Sequence, residues 1–167
     1  AKINTGFIPT GREIIAAGSG AATGKIYNSS QPYAVSFLEQ AGAVVTCEDI
    51  IPDDPALFQA AVTRRMQAGD RLILSTGAVS AGAYDFVADS LKALGAEILF
   101  HKVAIKPAKP ILFARLPGDV LYVGLPGNPV STAVGLEFFV KPLLSTALHQ
   151  APVLPVKARV KTPLRRK

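Results

Sequence analysis

The sequence predicts an α/β protein of three layers, in which helices cover both faces of a mainly parallel sheet that carries one antiparallel hairpin. Three observations predict it. Short apolar runs of strand length alternate with longer segments whose apolar residues recur at helical spacing. The helical segments carry matched boundary signals: Asp54 precedes Pro55 and Asn128 precedes Pro129 at two starts, and Gly42, Gly69 and Gly95 stand at three ends. The chain of 167 residues is long enough to bury one substantial core and demands no second.

In chain order, "INTGFIPTG" is a first short strand ending in Thr10-Gly11, and a Gly- and Ala-rich loop, "AAGSGAATGK", follows. "QPYAVSFLEQAG" has Tyr33, Ala34, Phe37, Leu38 and Ala41 on one helical face. "AVVTCEDI" reads as a strand, "DDPALFQAAVTRRMQAGD" as a helix capped by Asp54, and "RLILSTG" as a buried strand. In "AVSAGAYDFVADSLKALG", Phe86, Val87, Leu91 and Leu94 mark a helix closed by Gly95. "AEILFHKVAI" and "ILFAR" are strands on either side of "KPAKP", and "DVLYVGL" completes the hairpin near residues 111 to 123. Residues 129 to 147 form a long helix with an apolar face.

Charge points away from nucleic acid. Of the 18 Lys and Arg residues, six lie in "KARVKTPLRRK" at residues 157 to 167, which leaves 12 basic and 12 acidic residues in the rest of the chain. The net charge of +6 therefore belongs to a tail and not to a binding face. The tail alternates apolar and basic residues in "PVKARVKTPL", as a half-buried strand does, and reads as the start of a further domain. The single cysteine, Cys47, lies in an apolar run, is expected to be buried, and suits a reducing cytoplasm. No stretch reaches the ~18 consecutive apolar residues of a membrane span, and no signal peptide is recognisable.

In open α/β sheets ligands bind at the carboxyl ends of strands, which gathers the loops after residues 9, 49, 76, 105 and 124 on one rim. Each loop carries candidate chemistry. Thr10, Gly11 and Glu13 follow the first strand; Asp53 and Asp54 follow another, with Asp54 as the cap and Asp53 free. Ser75, Thr76, Gly77 and Ser80 are small residues that admit a ligand close to backbone, and Asp85 stands at a helix start. In "KPAKP" each proline holds the residue before it extended, so Lys106 and Lys109 are expected on a stiff strip. "GLPGNPVS" is a strand, a tight turn and a helix start, where Gly127 and Asn128 bring first-turn amides towards an anion. Taken singly, each feature also has a structural reading: a solvated lysine pair, a carboxylate on a helix dipole, a corner that binds nothing. Together they suit an anionic, nucleotide-like substrate, with carboxylates able to hold Mg2+.

The ordered set "PTGREI", "IYNSS", "PDDP", "STGAVSAGAYD", "KPAKP" and "GLPGNPVS" resembles the molybdopterin molybdenumtransferase family, the MoeA and gephyrin E-domain group, over about residues 3 to 147. The resemblance implies a molybdopterin-binding, MogA-like fold over residues 1–148, with residues 149–167 a linker and the start of a truncated C-terminal β-domain. It implies insertion of molybdate into adenylylated molybdopterin with release of AMP, assisted by Mg2+, in a cytoplasmic protein that is a homodimer at full length. It places the catalytic aspartate at Asp85 and further acidic positions at Glu13 and Asp53, with Asp85 and Asp53 towards the metal. The molybdate-binding groups fall on Ser80, Lys106, Lys109, Pro110 and Ser131, with Lys102 a further basic residue. The chain departs from the pattern at Arg12, where an aspartate is usual, at Ser30 and Ala83, and at Ala78 and Ala108, where glycines are usual. A non-catalytic molybdopterin-binding scaffold and the adenylyltransferase on the same fold are the alternatives.

Overall fold

The computed structural model describes residues 2–20, 23–78, 86–151, 156–159 and 161–162. Its centre is a six-stranded sheet. The elements are β1 (Ile3–Pro9), β2 (Ile14–Ile15), β3 (Ile26–Tyr27), α1 (Ser30–Gln40), β4 (Ala43–Cys47), α2 (Pro55–Gln67), β5 (Leu72–Thr76), α3 (Val87–Ala93), β6 (Glu97–His101), β7 (Leu112–Leu116), β8 (Val120–Leu125), α4 (Pro129–Gly135) and α5 (Lys141–Ala147). The order across the sheet is β4-β1-β5-β8-β7-β6. The pairs β1–β4, β1–β5 and β5–β8 are parallel, whereas β7 runs antiparallel to both β8 and β6.

Side-chain alternation along the central strands divides the core in two. Ile8, Ile73 and Tyr122 point to one face and pack against Phe58, Ala61 and Val62 of α2 and Val87 and Leu91 of α3. Phe7, Leu72, Leu74 and Val123 point to the other and pack against Ala34 and Leu38 of α1 and against Leu136, Val140 and Leu144 of the C-terminal helix. This is the expected three-layer arrangement. The helix at residues 129 to 147 is interrupted by a π-helical turn, Leu136–Val140, which joins α4 to α5.

Several expectations are corrected here. The Gly- and Ala-rich loop contains a small parallel pair, β2–β3, with Ile14 opposite Ile26. Cys47 is exposed and not buried, because β4 is the edge of the sheet; partial burial still raises its thiol pKa above the ordinary value. The strand expected to run to residue 105 ends at His101, and two backbone bonds, Lys102 N to Ile111 O (2.9 Å) and Val103 N to Lys109 O (2.8 Å), continue it into a hairpin tip. "KPAKP" therefore lies on a reversal and not on an extended strip: the Lys106–Pro107 peptide is cis and Ala108 is left-handed at φ 81°. In the tail, residues 156–159 carry no regular structure and Val156 is 91% exposed.

The backbone at Ala108 explains why glycine suits this position. An L-residue in the left-handed region is strained by roughly 1–2 kcal/mol, which glycine avoids. Ala108→Gly is expected to leave the melting temperature unchanged or raise it, whereas Ala133→Gly inside α4 is expected to cost about 1 kcal/mol. Thermal melts of the two variants check the contrast.

Candidate functional site

The carboxyl ends of β1, β4, β5 and β8 share one edge of the sheet because these strands are mutually parallel. β7 is antiparallel, so its amino end joins the same edge: Leu112 lies opposite Gly124 of β8 and opposite His101 of β6. One rim therefore gathers Asp53, Thr10 to Glu13, Gly77, Gly127 and the 102–111 hairpin tip, in that order along the sheet. With strands ~4.8 Å apart, the three steps from β1 to β7 set these two strands about 14 Å apart across the sheet.

The acidic half of the rim is a cleft of about 470 Å³ lined by Thr10, Gly11, Arg12, Glu13, Gly24, Asp53, Gly77 and Ala78. Its floor is made of backbone. Thr10 N bonds to Thr76 O at 2.9 Å, Gly77 N to Leu125 O at 3.1 Å and Gly11 N to Ile51 O at 3.1 Å, which locks three strand ends together. The Thr10 hydroxyl donates to Thr76 O at 3.0 Å, and Thr76 is itself buried. Gly77 has φ 92°, and a Cβ there would strike the Thr10 carbonyl and lie 2.8 Å from its Oγ1. Gly127 approaches as closely: a Cβ on it would lie 3.4 Å from Gly77 Cα.

Asp53 is not free, as the sequence suggested. Its Oδ2 lies 3.9 Å from Nε of Arg12, with the arginine side chain 64% exposed and the carboxylate 14% exposed. Asp54 is the cap of α2, as expected, accepting from the amides of Ala56 and Leu57 at 2.8 and 2.9 Å. Glu13 is exposed on the rim and covers Gly11, whose added Cβ would lie 2.9 Å from Glu13 Oε2. Lys25 follows Gly24 of this lining and supports the Arg12 backbone: its ammonium donates to the Arg12 carbonyl. The basic residue ending "ATGK" was the available signal.

Lys102, Lys106 and Lys109 are exposed at the other half of the rim, with Pro110 half-buried behind them. These lysines do not line the acidic cleft. Ser75 is corrected: its hydroxyl is fully buried and shares a hydrogen bond with that of Tyr122, whose pKa burial raises, so it faces the core. The first-turn amides of α4 are corrected as well. Asn128 Oδ1 accepts from Val130 N (3.0 Å) and Ser131 N (3.2 Å), and Pro129 has no N–H, so the cap consumes the donors expected to meet an anion. Ser131 retains its hydroxyl at the helix start, half-buried. Asn128→Ala is expected to cost about 1 kcal/mol, some 3 °C in a thermal melt, through loss of that cap. Asp85 and Ser80 lie outside the described residues.

Comparison with known proteins agrees with this architecture. A family model described as "Probable molybdopterin binding domain" matches residues 6–146. The molybdopterin molybdenumtransferase of Synechococcus elongatus is 43% identical over 167 residues, covering 97% of this chain and 41% of that protein. The one of Bacillus subtilis is 38% identical over 143 residues, covering 86% of this chain and 33% of that protein. The chain thus spans about two-fifths or less of these relatives. Among solved structures, a molybdopterin biosynthesis MoeA protein of Pyrococcus horikoshii superposes with a TM-score of 0.79 at 26% identity, over 89% of this chain and 36% of that one. MoaB of Pyrococcus furiosus, described as tungsten cofactor synthesizing, shares the fold over 89% of this chain and 96% of its own, with a TM-score of 0.64 and 17% identity.

Proposed function

The chain belongs to the molybdopterin-binding domain family, and from that premise we propose that it acts in molybdenum cofactor biosynthesis as the part of a molybdopterin molybdenumtransferase that inserts molybdate into adenylylated molybdopterin and releases AMP. The observation that carries this is the rim. A backbone-floored cleft at Thr10, Gly11 and Gly77 and a lysine-bearing tip three strands along the same edge suit the two ends of an elongated anionic substrate and a small oxyanion.

In this reading the ammonium groups of Lys106 and Lys109, with Lys102, supply charge to the molybdate dianion, and Ser131 offers a hydroxyl to it. Pro110, and Ser80 from outside the described residues, complete the molybdate set. Gly77 and Gly127 allow the substrate to approach backbone, and the Thr10 hydroxyl oxygen retains a lone pair towards the cleft. Asp85 is the carboxylate that handles the reacting phosphate, seconded by Glu13. A cytoplasmic location and a homodimer at full length complete the proposal; among the described residues, no helix is long and apolar enough to cross a membrane.

The resemblance also implies Mg2+. Among the described residues no group of three or more His, Cys, Asp or Glu stands together, and Asp53 faces a guanidinium. Mg2+ takes octahedral oxygen ligands, usually one or two carboxylates with substrate phosphates. The described residues do not fit that ion at Asp53.

The test is to titrate the protein with molybdopterin and then follow molybdate-dependent release of AMP from the adenylylated form. Binding followed by release is the expected result. Binding without release assigns the chain to a non-catalytic module, and consumption of ATP assigns it to the adenylyltransferase step.

A further inference from the structure

We propose that Arg12 is a phosphate anchor that takes the place of a metal ion in the Thr10–Asp53 cleft, so that this half of the site binds a phosphate ester without a divalent cation. The inference deepens the functional proposal above and rests on it for the identity of the phosphate ester.

Arg12 and Asp53 come from different strand ends, the loops after β1 and β4, which Gly11 N to Ile51 O joins at 3.1 Å. Their ion pair brings a permanent positive charge to Asp53, the carboxylate that, among the described residues of the cleft, is mostly shielded from solvent. A divalent ion seated on Asp53 would lie within ~5 Å of that guanidinium, and even at the dielectric constant of water the repulsion weakens it by about tenfold or more. The same guanidinium meets the needs of a phosphate. It offers a planar fork of donors that matches two phosphate oxygens. At 3.9 Å and 64% side-chain exposure its pairing with Asp53 is a loose one. Lys25, donating to the Arg12 carbonyl, holds the arginine backbone.

Binding of AMP measured by calorimetry, in EDTA and in millimolar Mg2+, tests the inference together with Mn2+ titration followed by electron paramagnetic resonance. The wild-type affinity for AMP is expected to be equal within about twofold in the two buffers. Arg12→Ala should weaken it by about 10–100-fold and Arg12→Lys by less, while circular dichroism shows both variants folded. Arg12→Asp should gain a Mn2+ site that wild type lacks. The inference is overturned by AMP binding that disappears in EDTA, by no AMP binding in either buffer, by an Arg12→Ala variant that binds like wild type, or by a wild-type Mn2+ site lost in Asp53→Asn. Molybdopterin titration of the same samples separates the two proposals: Arg12-dependent AMP binding without molybdopterin binding removes the assigned function alone, and molybdopterin binding indifferent to Arg12 removes this inference alone.

Discussion

Gly77→Ala is expected to lower stability by about 3–4 kcal/mol and to abolish binding in the Thr10–Asp53 cleft, through two separable costs. The first is conformational: at φ 92° the residue occupies a region that costs an alanine roughly 1–2 kcal/mol. The second is steric and falls on backbone, since the new methyl group would strike the Thr10 carbonyl, whose residue is tied by its amide and its hydroxyl to Thr76 O. Neither group has room to turn away, so the ends of β1 and β5 must part. Gly69→Ala is the control. Its φ is 85° and nothing lies within 4 Å of an added Cβ, so it should show the conformational cost alone. Thermal melts are expected to place Gly77→Ala about 10 °C below wild type and Gly69→Ala about 3 °C below it. Equal losses would mean that the close approach of Thr10 to Gly77 is not a constraint on the site.

Replacing Lys106 and Lys109 together by alanine is expected to weaken molybdate by about 100-fold or more while changing molybdopterin affinity by only a few-fold. Each lysine contributes a charge-assisted contact, roughly 1.5–3 kcal/mol where the anion is held directly, and each is exposed, so its removal leaves no buried orphan. The asymmetry between ligands follows from the strand order: β5 and β8 stand between the acidic cleft on β1 and the tip that precedes β7. The assay is the molybdate dependence of AMP release beside a direct titration with molybdopterin. Molybdate binding should also weaken with ionic strength in the wild type more than in the double variant. Equal losses for the two ligands would show that the tip serves the pterin and not the oxyanion.

Much of the rim was legible because its signals are local. Asp54 with Pro55 and Asn128 with Pro129 announce helix starts through chemistry confined to four residues, and both caps stand as expected. Gly42, Gly69 and Gly95 end helices with φ between 81° and 96°, a conformation that glycine alone adopts without cost. Other features were hidden for an equally physical reason. Ser75 looked like a loop hydroxyl until its partner, Tyr122, was supplied by a strand 47 residues away. Cys47 looked buried because an apolar run does not say whether its strand lies at the centre or the edge of a sheet. Asn128 was legible as a cap, yet the consequence was missed: by capping, it spends the amides that an anion would need.

The sequence by itself determined the α/β layering, the helix limits, the two proline-supported caps and the set of loops that face one edge, because each depends on periodicity or on a hydrogen bond between near neighbours. Only the tertiary structure decided how those loops divide. Strand order places Arg12 against Asp53, closes Gly77 onto Thr10 and sets the lysine tip on the far half of the rim. The two contacts join residues 41 and 67 positions apart in the chain, held by the register of parallel strands, and no local pattern encodes which strand becomes whose neighbour.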